Sequence, residues 1–425
     1  MAGLTVLLAS LFVANVVSHI AIGLLAFASM LHFLHTRKLY APPKFFYFLL
    51  AYALLLLFGT IGTQKGFRFP DRILAFYVLP LTFCCFSLSK KALLKAAEIF
   101  FKTGIIFCVI TILYWFYNFL HLDADFIAWI TGKTSYSVQM TDWEHQARLQ
   151  GYSWGEALTK DTEVYYSAYL FVTSWSYFYH PTANSIVLLG GLITGFYLDH
   201  QKKDFFTVSK WELLLYNVLC LFVIMLMQSR IGIVGFLLVT GITGLYYLKQ
   251  KIKHFKIALL ACLLLVGASL TMFHHQVSDF IDDDVRDVYR KIAASYIQEH
   301  FWWGCGFDQQ QLVLNEQAEK MKDTLPEIVY PHTNHSITHA HNQILGNMVQ
   351  FGIWGLIALI AMFAAMAHYA VKNRSYLLQT FLCFVLLFML IEEGEYILIL
   401  IFVLFFTAIN EAGKRDRTMQ QGFKF

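Results

Sequence analysis

The 425 residues are 58% hydrophobic and only 14% charged, and the formal net charge at pH 7 is +4. A typical soluble domain carries about 25% charged residues, so this composition excludes a chain built from two or three soluble domains. Long apolar runs recur from one end of the chain to the other, a pattern typical of helices that cross a membrane. The sequence therefore predicts an all-α polytopic membrane protein with one membrane domain over residues 1–425.

The first apolar block, residues 4–34, is too long for one crossing. A single helix of this length would extend about 46 Å, whereas the hydrocarbon core of a bilayer is about 30 Å thick. We therefore expect two short helices that turn near residues 15–19.

Further apolar runs bring the expected total to about twelve transmembrane helices. They lie at residues 44–62, 68–89, 96–120, 182–199, 210–228, 231–248, 256–273, 352–370, 375–391 and 395–410. The aromatic-rich residues 165–180 fit no crossing that the charge pattern allows, so we expect an interfacial or re-entrant segment there.

Lys and Arg residues collect in the short connections between these spans, and threading the spans places all of these clusters on one side of the membrane. The positive-inside rule makes that side the cytoplasm. Two long loops, residues 121–181 and 274–340, then lie on the outer side. The clusters are Arg37, Lys38 and Lys44; Lys90, Lys91 and Lys95; Lys202, Lys203 and Lys210; Lys249, Lys251, Lys253 and Lys256; Lys372 and Arg374; and residues 414–417.

The turn at residues 228–232, Gln-Ser-Arg-Ile-Gly, places Arg230 on the outer side between two spans. One interpretation is an anchor whose guanidinium reaches the lipid headgroups. The other is a functional group, because positive residues favour the inner side and an arginine at the membrane is a functional candidate by default. The residues favour neither interpretation over the other.

Residues 282–300 predict a helix in the second outer loop. Three aspartates at 282–284 favour a helix start, and apolar residues then recur at helical spacing from 285 to 297. Arg286 and Arg290 are four residues apart and fall on one edge of this apolar stripe. Such a helix could lie on the bilayer and direct both guanidiniums at a lipid phosphate, but a solvated polar edge is the commoner role of such charges.

His339 and His341 lie where the second outer loop meets the next apolar segment. Histidine there suits proton transfer near neutral pH, although a plain surface histidine in a His-rich loop is the alternative. A metal site built from His332, His335, His339 and His341 is disfavoured, because their spacing matches no common paired-ligand pattern and no Cys accompanies them.

Three glutamates, Glu392, Glu393 and Glu395, occupy the short outer turn before the last span. Carboxylates at membrane depth are costly and usually pair with a cation. They could neutralise one of the arginines or orient a histidine, and ordinary solvated carboxylates are an equally good interpretation.

Three stretches, in this order, resemble the O-antigen ligase family and its O-antigen polymerase relatives. QSRIGIVGFLLV is similar to a Ser/Thr-Arg motif that opens a span. VRDVYRKIAASYIQEHFWWGCGF is similar to an outer-loop pattern of Arg, an aromatic residue, an apolar helix and Gly-x-Gly. HAHNQILGNMVQFGIWGLI shares a His-x-His-Asn start followed by an apolar helix. The chain departs from the family where Phe301 or Trp302 replaces the usual proline, and the segment between Arg148 and His180 is longer.

The resemblance implies a GT-C-like fold in the bacterial inner membrane, with a large periplasmic loop, residues 274–340, over a lipid-accessible cavity. It implies a metal-independent, cofactor-free O-antigen ligase that transfers a glycan from undecaprenyl pyrophosphate to a sugar hydroxyl of the lipid A-core in lipopolysaccharide biosynthesis. His341 would be the catalytic base, and Arg230 and Arg286 would hold the pyrophosphate. Further candidates for substrate contacts are Arg290, Arg148, His180, His339, Glu392 and Glu393.

Other functions remain open at this point. An O-antigen polymerase would use the same donor with a second lipid-linked glycan as its acceptor. A transporter or flippase for lipid-linked glycans is disfavoured, because the notable charges lie at the outer ends of the spans and not at mid-depth. Nothing in the sequence indicates a nucleic-acid partner.

Overall fold

A computed structural model describes residues 2–12, 15–60, 71–85, 88–121, 181–201, 208–227, 229–251, 284–307, 309–324, 340–392 and 396–422. Within these residues the chain forms thirteen α-helices, one short 3-10 turn and no strand, which confirms the all-α prediction for this part of the chain. The helices are α1 (Ala2–Ser10), α2 (Asn15–Thr36), α3 (Phe45–Phe58), α4 (Asp71–Cys85), α5 (Lys90–His121), α6 (Pro181–Gln201), α7 (Lys210–Leu226), α8 (Arg230–Lys251), α9 (Asp284–Glu299), α10 (Gln310–Lys320), α11 (Gln343–Lys372), α12 (Tyr376–Ile391) and α13 (Tyr396–Gly422).

Each predicted apolar run in the described part of the chain overlaps one of these helices. However, α11 begins nine residues before the run at 352–370, and α13 extends twelve residues beyond the run at 395–410. Residues 4–34 form two helices as predicted, but α1 ends at Ser10 and α2 begins at Asn15. The predicted turn at residues 15–19 is therefore wrong by several residues, because α2 already starts at the asparagine, a residue type favoured at helix starts. The expected span at 256–273 lies outside the described residues, as do residues 122–180.

Among the described residues, three helical stretches are long and apolar enough to cross a membrane: Lys90–Leu113, Gln343–Lys372 and Ile397–Lys414. Shorter apolar helices cover Ile20–Thr36, Phe45–Phe58, Phe76–Cys85, Arg230–Tyr246 and Tyr376–Ile391. These stretches are those of a helical membrane protein, and the total of about twelve spans stays a prediction.

The described chain divides into two compact units. One contains residues 2–21 and 96–233. In it, α7 starts with a capping box in which Ser209 and Glu212 bond reciprocally to each other's backbone N–H. Tyr216 of α7 is fully buried and donates a hydrogen bond to the carbonyl of Leu188 in α6, at 2.9 Å. This hydrogen bond links α6 to α7 within the apolar core of the unit.

The other unit contains residues 22–95 and 234–425, and its central element is α11, which packs against α3, α9 and α12. The hydroxyl of Tyr52 in α3 donates to Oδ1 of Asn347 in α11 at 2.6 Å, and both side chains are buried. Phe381 of α12 packs against Phe402 and Phe406 of α13. The unit is thus held by apolar packing with a few satisfied polar contacts.

A sharp bend divides α11 at Gly352, where φ is 61° and ψ is −150°. The backbone oxygen of Asn347 lies 2.5 Å from the position that a Cβ on Gly355 would take. Eight residues of straight helix would separate these groups by about 12 Å. Residues 343–351 therefore do not continue along the axis of the helix that follows the bend. That helix, residues 353–372, is about 30 Å long, which matches the thickness of a bilayer core.

The loop at residues 301–307 fits against this bend. The N–H groups of Cys305 and Gly306 donate to the carbonyls of Val349 and Gln350 at 2.9 and 2.8 Å. These bonds satisfy carbonyls near the point where the break interrupts the helical ladder. A Cβ on Gly304 would fall 2.3 Å from the carbonyl carbon of Gln350, so this close backbone contact requires glycine.

The helix predicted at residues 285–297 is confirmed as α9. Its apolar residues, Val288, Ile292, Ala293, Tyr296 and Ile297, are buried together with residues of α10 and α11. Protein therefore covers the stripe, and the expectation that it rests on lipid is wrong. The covering helix, α10, was not predicted from the sequence.

Candidate active site around His341 and Glu392

His341 lies just before α11 and in contact with two other elements. Its Nδ1 donates to Oε1 of Glu392 at 3.0 Å, since a carboxylate oxygen can only accept. Its ring stacks on Tyr289 of α9, with ring centroids 5.6 Å apart and planes inclined by 19°. The backbone of His341 is in the left-handed region, with φ at 47°. The imidazole is thus fixed by a carboxylate at its edge and an aromatic ring on its face.

Glu392 ends α12, and its backbone N–H donates to the carbonyl of Phe388 at 2.8 Å. The residue is only 7% exposed. Its second carboxylate oxygen, Oε2, lies 3.5 Å from Nη2 of Arg286. The carboxylate therefore lies between an imidazole and a guanidinium, and the interpretation of Glu392 as a solvated loop carboxylate is wrong.

Arg286 and Arg290 face different partners although four residues separate them on α9. Arg286 is half-buried beside Glu392. Arg290 bonds through Nη1 to Asp287 of its own helix at 3.0 Å, and its buried Nε has no hydrogen-bond partner among the described residues. A buried donor without a partner is uncommon in folded proteins. Arg286 therefore belongs to the His341 cluster, whereas Arg290 pairs with Asp287 of the same helix.

Arg230 belongs to the unit of residues 2–21 and 96–233, where it is the first residue of α8 and is exposed. Ser229 caps this helix, because its Oγ accepts from the N–H of Gly232 at 3.1 Å. The hydroxyl of Ser185 in α6 donates to the same Oγ at 2.9 Å. A Cβ on Gly232 would fall 2.4 Å from Oγ of Ser185. The serine and glycine of this motif therefore fix the start of α8, and the arginine extends from it.

The other candidate residues lie outside the described part of the chain: Arg148, His180, His339 and Glu393. His332 and His335 of the alternative metal site lie there too, so their roles stay predictions. Among the described residues, no group of three His, Cys, Asp or Glu side chains is placed to hold a metal ion.

Sequence reasoning missed two residues of the site. Tyr289 falls within the apolar stripe predicted at residues 285–297, but it is three residues after Arg286 and so shares a helical face with it. Asn342 accepts from the N–H groups of Ile344 and Leu345 and so caps α11. An asparagine directly before an apolar helix is a cap signal that the sequence alone could have revealed.

The geometry determines what the cluster can do. Because Nδ1 of His341 donates to Glu392, the lone pair of the neutral ring is on Nε2, which can accept a proton from a substrate. The carboxylate would then stabilise the resulting imidazolium. Arg286 carries a fixed positive charge on a planar guanidinium, a geometry that suits an anion such as a phosphate. A proton acceptor and an anion-binding group thus meet at one carboxylate.

An apolar cavity of about 310 Å³ lies beside the bend in α11. Its lining includes Phe58 of α3, Trp303 and Cys305 of the 301–307 loop, and Gln350 and Trp354 of α11. Phe58, Trp303 and Trp354 are exposed. Exposed aromatic side chains of this kind are typical of the membrane–water interface, and the cavity is large enough for part of a lipid-like ligand.

Residues 215–360, about one third of the chain, match the family model of the O-antigen ligases. This match confirms the resemblance inferred from the three motifs. The matched segment contains Arg230, Arg286 and His341 and ends before Glu392. No curated protein matches the chain.

Proposed function

From the O-antigen ligase domain at residues 215–360, we propose that this chain transfers a glycan from undecaprenyl pyrophosphate to a sugar hydroxyl of the lipid A-core. The reaction takes place on the periplasmic face of the bacterial inner membrane. The observation that carries the proposal is the contact of one buried carboxylate, Glu392, with both His341 and Arg286. The cytoplasmic clusters of Lys and Arg support the orientation.

His341 is the general base of the proposed reaction. Nε2 accepts the proton of the acceptor hydroxyl as the oxygen attacks the anomeric carbon of the donor, and the bond from that carbon to the pyrophosphate oxygen breaks. Glu392 keeps the imidazole in the required tautomer and balances its charge after proton transfer. The ring of Tyr289, stacked on His341, restricts its rotation.

Arg286 binds the pyrophosphate leaving group, and the similarity of the Ser-Arg motif to that of the family assigns the same role to Arg230. Negative charge builds on the leaving oxygen as the glycosidic bond breaks, and guanidiniums meet phosphate oxygens with two parallel hydrogen bonds. The two arginines would supply the charge stabilisation that a divalent ion supplies in other transferases.

The apolar cavity and its exposed aromatic residues support a substrate that stays in the bilayer. An O-antigen polymerase would share the donor and the leaving group, so its distinction from the ligase depends on the acceptor. The His-x-His-Asn form at residues 339–342 favours the ligase.

The direct experiment uses the purified full-length protein in liposomes with lipid-linked glycan and lipid A-core. We expect glycan-bearing lipid A-core as the product, at an unchanged rate in excess chelator. Longer lipid-linked glycans and unmodified cores would instead identify a polymerase. A rate that vanishes in chelator and returns with one divalent ion would favour the histidine metal site.

A further inference from the structure

Asn342, the residue after the proposed base, bonds to two separate elements through one amide. Its Oδ1 accepts from the N–H groups of Ile344 and Leu345, at 2.9 and 3.1 Å, and so caps α11. Its Nδ2 donates to the carbonyl of Leu390 in α12, at 2.8 Å. The two bonds of Oδ1 explain why α11 starts here. The bond from Nδ2 to Leu390 is not needed to cap α11.

The bond to Leu390 adds a second contact between the segment before α11 and the end of α12. Leu390 is two residues before Glu392, and Glu392 accepts from His341, the neighbour of Asn342. Two successive residues of one segment therefore bond to two nearby positions at the end of α12. These bonds fix the distance between the end of α12 and the segment before α11.

The backbone conformation of His341 explains why these two bonds are needed. A non-glycine residue with φ at 47° is in a sparsely populated conformation that persists only where the surroundings hold it. On one side of it, Ala340 is fully buried in the core of α9, α10 and α11. On the other side, Asn342 is held by Leu390. The segment is thus fixed at both ends of the strained residue.

We infer that Asn342 is a positioning residue for the transfer reaction proposed above: its bond to Leu390 sets the approach of His341 to Glu392. Asn342 acts through His341 and needs no contact with either substrate. Because misplacement of a catalytic group by about 1 Å can lower a rate by about 100-fold, loss of this bond should lower kcat and leave KM for both substrates almost unchanged.

The substitution that separates the two roles is Asn342→Ser. Serine caps helices about as well as asparagine, but its side chain is one heavy atom shorter and cannot reach the carbonyl of Leu390. Asn373 provides the matched control, since it lies at the opposite end of α11 and its Nδ2 donates to the carbonyl of Tyr369 at 2.7 Å. Asn373→Ser removes the same kind of bond far from His341 along the same helix.

We expect kcat of the Asn342→Ser protein to fall by about 10- to 100-fold, with thermal stability and KM close to those of the unchanged protein. Asn373→Ser should keep its kcat. The double variant Asn342→Ser, Glu392→Gln should be no slower than Glu392→Gln alone, because residues that act through one interaction have non-additive effects.

Three outcomes would overturn the inference: an unchanged kcat in Asn342→Ser, an equal loss in Asn373→Ser, or losses that multiply in the double variant. The inference depends on the proposed function, and the same assay distinguishes the two. The product formed by the unchanged protein tests the proposed function. The ratio of the variant's rate to that of the unchanged protein tests the positioning role of Asn342. That ratio applies equally if the product is a polymerised glycan.

Discussion

His341 and Glu392 are 51 positions apart in the chain, and Nδ1 of the histidine donates to the carboxylate at 3.0 Å. The carboxylate is nearly buried, and Arg286 is on its other side. A buried carboxylate without cationic or hydrogen-bonding partners would be strongly destabilising. The two partners meet this requirement, and both come from the segment that matches the O-antigen ligases.

Replacement of the proposed base should abolish transfer without loss of the protein. His341→Ala is expected to lower kcat by about 10²- to 10⁴-fold, the usual contribution of general base catalysis, while the protein still inserts and accumulates. The control is His300→Ala, since His300 is an exposed histidine of the same region that stacks on Tyr296. Full transfer activity in a well-expressed His341→Ala protein would exclude the base role.

Replacement of the arginines should weaken stabilisation of the leaving group. Arg286→Ala and Arg230→Ala should each lower kcat/KM by about 10²- to 10³-fold, as loss of one oxyanion-stabilising donor does in other enzymes. Lysine should restore only part of the loss, because it lacks the planar fork. Lys291→Ala, an exposed cation on α9, is the control. An Arg286→Lys protein as active as the unchanged one would show that bidentate binding is not needed.

Neutralisation of Glu392 should impair catalysis more than folding. Glu392→Gln keeps the size of the side chain but removes the charge that balances a protonated His341, so we expect kcat to fall by about 100-fold or more. Glu411 is the matched control, because it is a partly buried carboxylate of α13 that bonds to Tyr369 and Lys414. Equal effects of Glu411→Gln and Glu392→Gln on transfer would contradict a catalytic role of Glu392.

The bend in α11 should tolerate no side chain at Gly352. Its φ and ψ of 61° and −150° are almost restricted to glycine, and a Cβ there would lie 2.5 Å from the carbonyl oxygen of Trp302. Gly352→Ala should therefore lower the free energy of unfolding by about 1–3 kcal/mol. In Gly241→Ala the added Cβ meets no atom within 4 Å, so stability should be unchanged or slightly higher. Thermal unfolding of both purified proteins measures the difference, and equal melting temperatures would contradict it.

The helices of this fold could be predicted because long apolar runs and helical spacing are local signals. Runs such as 182–199 and 375–391 coincide with α6 and α12 to within two residues. The stripe of α9 was likewise visible. The bend was not, because Gly352 lies between two apolar residues, Phe351 and Ile353, and a glycine is tolerated inside a helix. The predicted span at 352–370 therefore included neither the helical residues 343–351 nor the break at Gly352.

The site was predictable in its residue types and not in its contacts. Arg286 and His341 could be selected as chemical groups from their motifs. Glu392 remained one of three similar glutamates until the structure placed its carboxylate between them, since nothing local indicates which acidic residue of a turn points inward. Helix α10 was missed because its residues, QQLVLNEQAEK, carry too few apolar side chains to mark a buried face.

The lipopolysaccharide of a strain that lacks this protein tests the central claim most directly. Deletion should leave lipid A-cores without O-antigen, and full-length glycan should accumulate on undecaprenyl pyrophosphate, because polymerisation continues while transfer to the core stops. Banding of the extracted lipopolysaccharide on a gel, together with analysis of the lipid-linked pool, measures both. Cores that each carry a single repeat unit would contradict the ligase and identify the protein as the polymerase.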